Sequence, residues 1–112
     1  MSDTSFACLP EPPYFAVIFS SQRTAGDAGY HAMSNRMVAL AMQQLGYLGA
    51  ESARDSHGFG ITVSYWDSLE AIRQWKNHAE HRIAQEFGIT EWYKHYELRI
   101  SEVKYAYGKR VG

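Results

Sequence analysis

Only one cysteine, Cys8, occurs in the 112 residues, so no disulfide can close within the chain and a reducing compartment fits. The three prolines, Pro10, Pro12 and Pro13, all fall near the N-terminus, where they disfavour helix and mark the entry to a domain. No apolar run approaches the roughly 20 residues needed to cross a bilayer. The first residues carry no basic region followed by an apolar stretch, which excludes a signal peptide. Basic blocks are missing too: the formal charge is -1 and charged residues are scattered, which argues against nucleic acid as a partner. The expectation is a soluble, cytoplasmic protein with no membrane partner. Its length suits one domain with a real core and little to spare.

Aromatic residues are plentiful, with eight tyrosines, five phenylalanines and three tryptophans. Such a surplus exceeds what a minimal core needs and commonly lines a pocket or a subunit interface.

Residues 1–13 read as an N-terminal tail, 14–108 as the domain and 109–112 as a C-terminal tail. Tyr14 to Ser21 is predicted as a first strand with apolar groups on both faces, so both faces require cover. Tyr30 to Leu45 places Tyr30, Met33, Met37, Leu40 and Ala41 on one helical face, and Gly46 suits its left-handed stop. Tyr47 to Arg54 and Phe59 to Trp66 read as strands joined by the turn Asp55-Ser56-His57-Gly58. Asp67 is predicted to cap a second helix running to Phe87, with Glu70 completing a capping box and Gly88 stopping it. Glu91 to Tyr96 reads as a helical turn and Glu97 to Tyr107 as a last strand. Leu98 and Ile100 are out of phase with Val103, Tyr105 and Tyr107, which a bulge near Ser101 and Glu102 would reconcile.

Strand, helix, strand, strand, helix, strand is the split βαβ order of an α+β, ferredoxin-like fold with an antiparallel sheet. Helices on one face leave the other to be covered. A second copy packing sheet to sheet is the simplest cover, so a homodimer is expected.

The segment Y-W-D-S-x-E-A-I-x-x-W-K-N-H-A-E-H-R-x-A-Q, from Tyr65 to Gln85, resembles the signature region of the antibiotic biosynthesis monooxygenase domain family. The branch it is most similar to is the small bacterial proteins grouped with haem-degrading monooxygenases. Phe15 to Phe19, the Trp66 and Trp75 pair, and Val103 to Gly108 support the likeness, which covers about residues 14–108. The resemblance implies a dimeric α/β barrel. It also implies cofactor-independent oxygenation of anthrones, quinols or related phenols.

That chemistry needs a base to form an electron-rich phenolate or enolate that reduces dioxygen, and an apolar pocket for a flat substrate. Projected on a helix, Ala79, Ile72, Ile83, Leu69 and Phe87 form the core face, and Trp75, His78, Arg82 and Gln85 a stripe bordering the sheet. His78 is the candidate base and Trp75 the stacking surface, with Arg82 or a tyrosine holding the developing oxyanion. His81, Trp66, Trp92 and Tyr96 join Arg82 and Gln85 as candidate contacts to a small aromatic ligand. Each residue also has a plainer reading: the histidines as polar groups on an amphipathic helix, Trp75 as packing, the tyrosines as interface. His78 and His81 lack further ligands at helical spacing, so no metal site is expected.

Haem-degrading relatives combine a pocket tryptophan, an iron-ligating histidine on the same helix and a strand-one asparagine. Trp75 matches the first, but Gln85 stands where the histidine would be, and Ser20 or Ser21 where the asparagine would be. No cofactor is therefore expected, and haem turnover is the second reading. A ligand-binding or stress-related protein without turnover is the third.

Overall fold

The computed structural model describes residues 6–88 and 91–109. The first five residues of the N-terminal tail and residues 110–112 of the C-terminal tail lie outside the described residues. The elements are β1 (Tyr14–Arg23), α1 (Tyr30–Ala41), β2 (Tyr47–Arg54), β3 (Phe59–Trp66), α2 (Leu69–Phe87) and β4 (Tyr93–Val103). The four strands form one antiparallel sheet in the order β2-β3-β1-β4. This is the α+β, ferredoxin-like arrangement expected from the strand and helix order.

The β2–β3 turn forms because the Asp55 carboxylate accepts from the backbone N–H groups of His57 and Phe59. Those hydrogen bonds hold its carboxyl below the usual range, the Phe59 bond being the largest cause. The bounds of β2 and β3 agree with those read from the sequence.

Helix ends differ from expectation. Ser68, not Asp67, caps α2: its side chain accepts from Ala71 N. Ser68 holds the extended backbone a cap requires, and Glu70 turns instead to Arg73 and Gln74. Leu69 consequently sits in the first turn, 56% exposed, rather than on the core face; Ile72 is buried, and Ala79, Ile83 and Phe87 are half-buried. Helix α1 ends at Ala41, not Leu45, tightening into three-residue turns in which Gln43 N and Gln44 N donate to Leu40 O and Ala41 O. Gly46 then takes a φ of +87°. A Cβ there would stand 2.5 Å from Ala71 Cβ and 2.6 Å from Asp67 Oδ1, so glycine is required for conformation and for space.

Glu91 to Tyr96 is not a helical turn, and β4 begins at Tyr93. Its aromatic residues pair along β1, with Tyr96 opposite Ser21 and His95 opposite Gln22. The register shift lies between Gln22 and Arg23, where Arg23 faces Tyr93, and not near Ser101 and Glu102. Those two residues stay in continuous register, opposite Ala16 and Phe15. The change of apolar phase along β4 is therefore a true change of face. Leu98 and Ile100 pair with Phe19 and Val17, whereas Val103 pairs with Tyr14 on the opposite side. Tyr105 and Tyr107 lie beyond the strand and are exposed.

The side of the sheet away from the helices carries Ala16, Ile18, Val63, Tyr65 and Ile61. Residues from the N-terminal segment reach part of it: Ala7 N donates to Glu51 Oε2, and Ala7 and Leu9 lie against Gly49. Tyr65 donates to Glu51 Oε1 at 2.7 Å and meets Tyr14 edge-on at 5.7 Å. Burial and the Glu51 carboxylate push the Tyr65 phenol up to about 12. Among the described residues, no helix is long and apolar enough to cross a membrane.

Candidate active site

Residues paired across an antiparallel sheet share a face, so the helix side can be read row by row. One end row is Arg54, Gly60, Ser21 and Tyr96; the next two are Ser52, Thr62, Phe19, Leu98 and Ala50, Ser64, Val17, Ile100. Tyr47, Trp66, Phe15 and Glu102 form the far end. Trp66 stacking on Trp75 of α2, and Arg54 reaching Tyr30 of α1, identify this as the helix side.

Two helices do not seal this face. Val17, Phe19, Thr62 and Ser64 lie on the two central strands yet are only half-buried. On β4, Leu98 and Ile100 remain 44% and 48% exposed. The result is a partly uncovered strip of sheet beside the helices, here called the trough, with an apolar floor of Val17, Phe19, Leu98 and Ile100 and a row of hydroxyls from Ser52, Thr62 and Ser64. The hydroxyls are paired: Ser52 Oγ lies 2.7 Å from Thr62 Oγ1, and Ser64 Oγ accepts from Trp66 Nε1 at 2.9 Å.

The aromatic end of the trough is built on Trp66, fully buried at 0% exposure. Tyr47 meets it edge-on at 5.4 Å, and Trp75 stacks on it at 6.0 Å with planes 25° apart. The His78 ring follows one turn later, 5.9 Å from Trp75 and tilted by 37°. His78 Nε2 is buried and has no hydrogen-bond partner among the described residues. An unpaired buried polar atom costs about 1–3 kcal/mol, which sets this nitrogen apart from an ordinary packing contact.

Polar groups make the other end. Arg54 extends across Gly60, donating to Ser21 O, Gly58 O, Ser21 Oγ and the Tyr30 hydroxyl. Arg23 lies with its Cζ 3.7 Å above the centre of the Tyr30 ring. Tyr30 and Tyr93 meet edge-on at 5.7 Å; burial first, then the Tyr30 hydroxyl, push the Tyr93 phenol well above its ordinary value. Phe19 and Tyr96 extend the aromatic wall outward from Tyr93.

The structure brings together Trp66, Trp75 and His78 of the residues singled out from sequence. Arg82 is half-buried and donates to Glu86, which also accepts from Arg36 of α1; Arg36 first and Arg82 second hold the Glu86 carboxyl below its usual range. Gln85 and His81 are exposed. Trp92 is buried elsewhere, its Nε1 donating to Ala28 O and its ring meeting Phe87. Tyr96 stands at the polar end against Phe19. Sequence reasoning missed Arg54, Arg23 and Ser21 as site residues. The available signal was an arginine closing β2 opposite a glycine, the pairing that lets a long side chain lie across the sheet.

Among the described residues, none of the three positions a haem would call on presents an open ligand or donor. His78 Nε2 is buried, so iron, like any other partner, would reach it only after the ring turned. Gln85 lies on the surface, and Ser21 Oγ is occupied by Arg54.

No model of a protein family matches the chain. The uncharacterised protein YqjZ of Bacillus subtilis is 53% identical over 94 residues, covering 84% of this chain and 82% of YqjZ. Among solved structures, SnoaB of Streptomyces nogalater, a cofactor-independent oxygenase, superposes with a TM-score of 0.66 at 10% identity. The match covers 86% of this chain and 98% of SnoaB. MhuD, solved with two manganese protoporphyrin IX molecules per active site, gives 0.64 at 20% identity, over 85% of this chain and 99% of MhuD. The chain thus belongs to one family with YqjZ, built on the fold that antibiotic biosynthesis monooxygenase-like proteins share.

Proposed function

We propose that the protein is a cofactor-independent monooxygenase of a small aromatic substrate such as a quinol, an anthrone or a polyketide-like phenol. The observation that carries this reading is the unpaired Nε2 of His78 beside the half-buried Trp75 of a tryptophan stack. An imidazole nitrogen with no hydrogen-bond partner is available for proton transfer with a substrate. Tilting the ring toward the trough breaks no hydrogen bond at that atom. Removing a proton from an acidic CH or phenolic OH leaves an electron-rich anion that passes electrons to dioxygen. For an anthrone the balance is CH2 plus O2 giving C=O plus H2O, with one oxygen atom retained by the substrate. The half-buried floor of Val17 and Phe19 supplies a flat, largely apolar bed that limits water around the anion.

The fold shared with SnoaB supports this class of reaction, and the buried His78 Nε2 and exposed Gln85 weigh against haem turnover, the second reading. Oxygen uptake with a panel of anthrones and quinols in metal-free buffer is the test. Uptake that depends on His78 supports the oxygenase. Tight binding without uptake would instead favour a ligand-binding protein.

Self-association through the outer sheet face is part of the same proposal. Phe59 and Ile61 are 45% and 42% exposed there. With Ala53 and Val63 they line shallow grooves of about 320 and 310 Å³. A second copy applying the same face would bury this surface under two-fold symmetry. A cytoplasmic location accords with the single, exposed, unpaired Cys8.

A further inference from the structure

The polar end of the trough has a charge imbalance that the proposed oxygenation does not use. Arg23 and Arg54 are both half-buried. Among the described residues, neither guanidinium has a carboxylate within ion-pairing distance; the ion pairs involve Arg36, Arg73, Lys76, Arg82 and His95 instead. Arg23 donates only to carbonyl oxygens, those of Thr24, Trp92, Gly26 and Asp27. Arg54 donates to carbonyls and to the Ser21 and Tyr30 hydroxyls. The Asp27 carboxylate is turned away to the N–H groups of Gly29 and His31. Neutral acceptors fix both cations in place without cancelling their charge. Partly desolvated positive charge of this kind favours an anion far more than an exposed arginine would.

The groups packed against these cations are phenols. Tyr30 accepts from Arg54 at 3.3 Å and also faces the Tyr93 hydroxyl; with Tyr93 donating to it, its own hydroxyl hydrogen is left to donate. Tyr93 stands beside it, and Tyr96 and Leu98 continue as a partly exposed aromatic and aliphatic shelf in line with Ser21 and Phe19. A flat ring resting on this shelf would direct a substituent toward the Tyr30 hydroxyl with two guanidiniums behind it.

We infer that this end of the trough is a subsite for the carboxylate of a flat aromatic acid, held by the Tyr30 hydroxyl in the field of Arg54 and Arg23. The assignment deepens the oxygenase reading by naming a substrate class. It rests on that reading only in treating the trough as a binding site. A carboxylate suits the site better than a bulkier tetrahedral anion, because it is coplanar with the ring that the shelf accepts. Charge-assisted hydrogen bonds supply the discrimination between acid and neutral analogues.

The test uses 2-naphthoate and its neutral analogue 2-naphthalenemethanol as probes, titrated calorimetrically into the full chain without any turnover. The acid is expected to bind at least about tenfold more tightly, as a hydrogen bond to a charged group implies. Arg54→Gln should abolish that preference. Tyr30→Phe keeps the ring beneath Arg23 and removes only the hydroxyl, so it should weaken 2-naphthoate several-fold while leaving the alcohol unaffected. That variant decides the matter should Arg54→Gln fail to fold. Equal affinity for acid and alcohol, no binding of either, or an acid preference undiminished by Tyr30→Phe would overturn the subsite. Because no oxygen is consumed, an absence of oxygenase activity leaves this outcome readable by itself.

Discussion

The guanidinium of Arg54 occupies the space that a side chain at position 60 would fill: a Cβ on Gly60 would come within 2.7 Å of Arg54 Cζ and 3.0 Å of Ala53 O. Arg54 crosses β3 over that glycine to reach Ser21 on β1, and so brings a charge from one sheet edge to the central strands at the polar end of the trough. Gly60→Ala should displace it. Overpacking against a backbone carbonyl predicts a loss of about 1–3 kcal/mol, read as a lower midpoint in urea with an unchanged slope.

Gly46→Ala is expected to be at least as harmful. The left-handed backbone costs an alanine about 1–2 kcal/mol, and the added methyl meets Ala71 at the start of α2. Thermal unfolding followed by circular dichroism should show the drop, with Gly26→Ala as the comparison. Gly26 has a similar φ of +77° but open space around it, so the difference between the two variants isolates the clash.

His78→Ala should reduce oxygen uptake with a responsive quinol by roughly two orders of magnitude if the imidazole is the general base. The same variant removes an unpaired buried nitrogen, so its folding stability should change less than an ordinary core truncation would. Unaltered uptake would take His78 out of the mechanism.

Acid should weaken the helix layer through Glu86. Arg36 and Arg82 hold its carboxyl below the ordinary 4.5, so the folded state binds that proton less readily than the unfolded chain. The contribution is complete above the unfolded value and disappears as pH falls through the lower folded one. Melting temperature should therefore be flat above about pH 5 and decline below it. Glu86→Gln should make the decline shallower, by a small amount because solvent screens the pair.

Ile61→Glu on the outer face should yield a folded monomer in sedimentation velocity, where the parent chain is expected to sediment as the proposed dimer. A parent chain that is monomeric at micromolar concentration would count against that face as an interface.

Much of the fold was legible because its signals are local. Alternation marked β3, and the Asp55–Gly58 turn was visible in its own side chains. Errors fell where two local preferences compete. Asp67 and Ser68 are both good caps, and only the backbone conformation at Ser68 decides between them. Glu91 to Tyr96 has no strong alternation, and it becomes strand because β1 offers an edge for Tyr93 and Tyr96 to pair with. Helical spacing alone placed Trp75 and His78 side by side, as the structure has them.

By itself, then, the sequence determined the order of elements, the antiparallel sheet and the tryptophan–histidine end of the trough, since each follows from spacing within one element. Tertiary structure decided that the trough stays open, that His78 Nε2 is left unpaired, and that Arg54, Arg23, Tyr30 and Tyr93 meet at its other end. Those four residues come from β1, β2, β4 and the start of α1. Proximity between such elements depends on strand order and register, which no spacing within a single segment encodes.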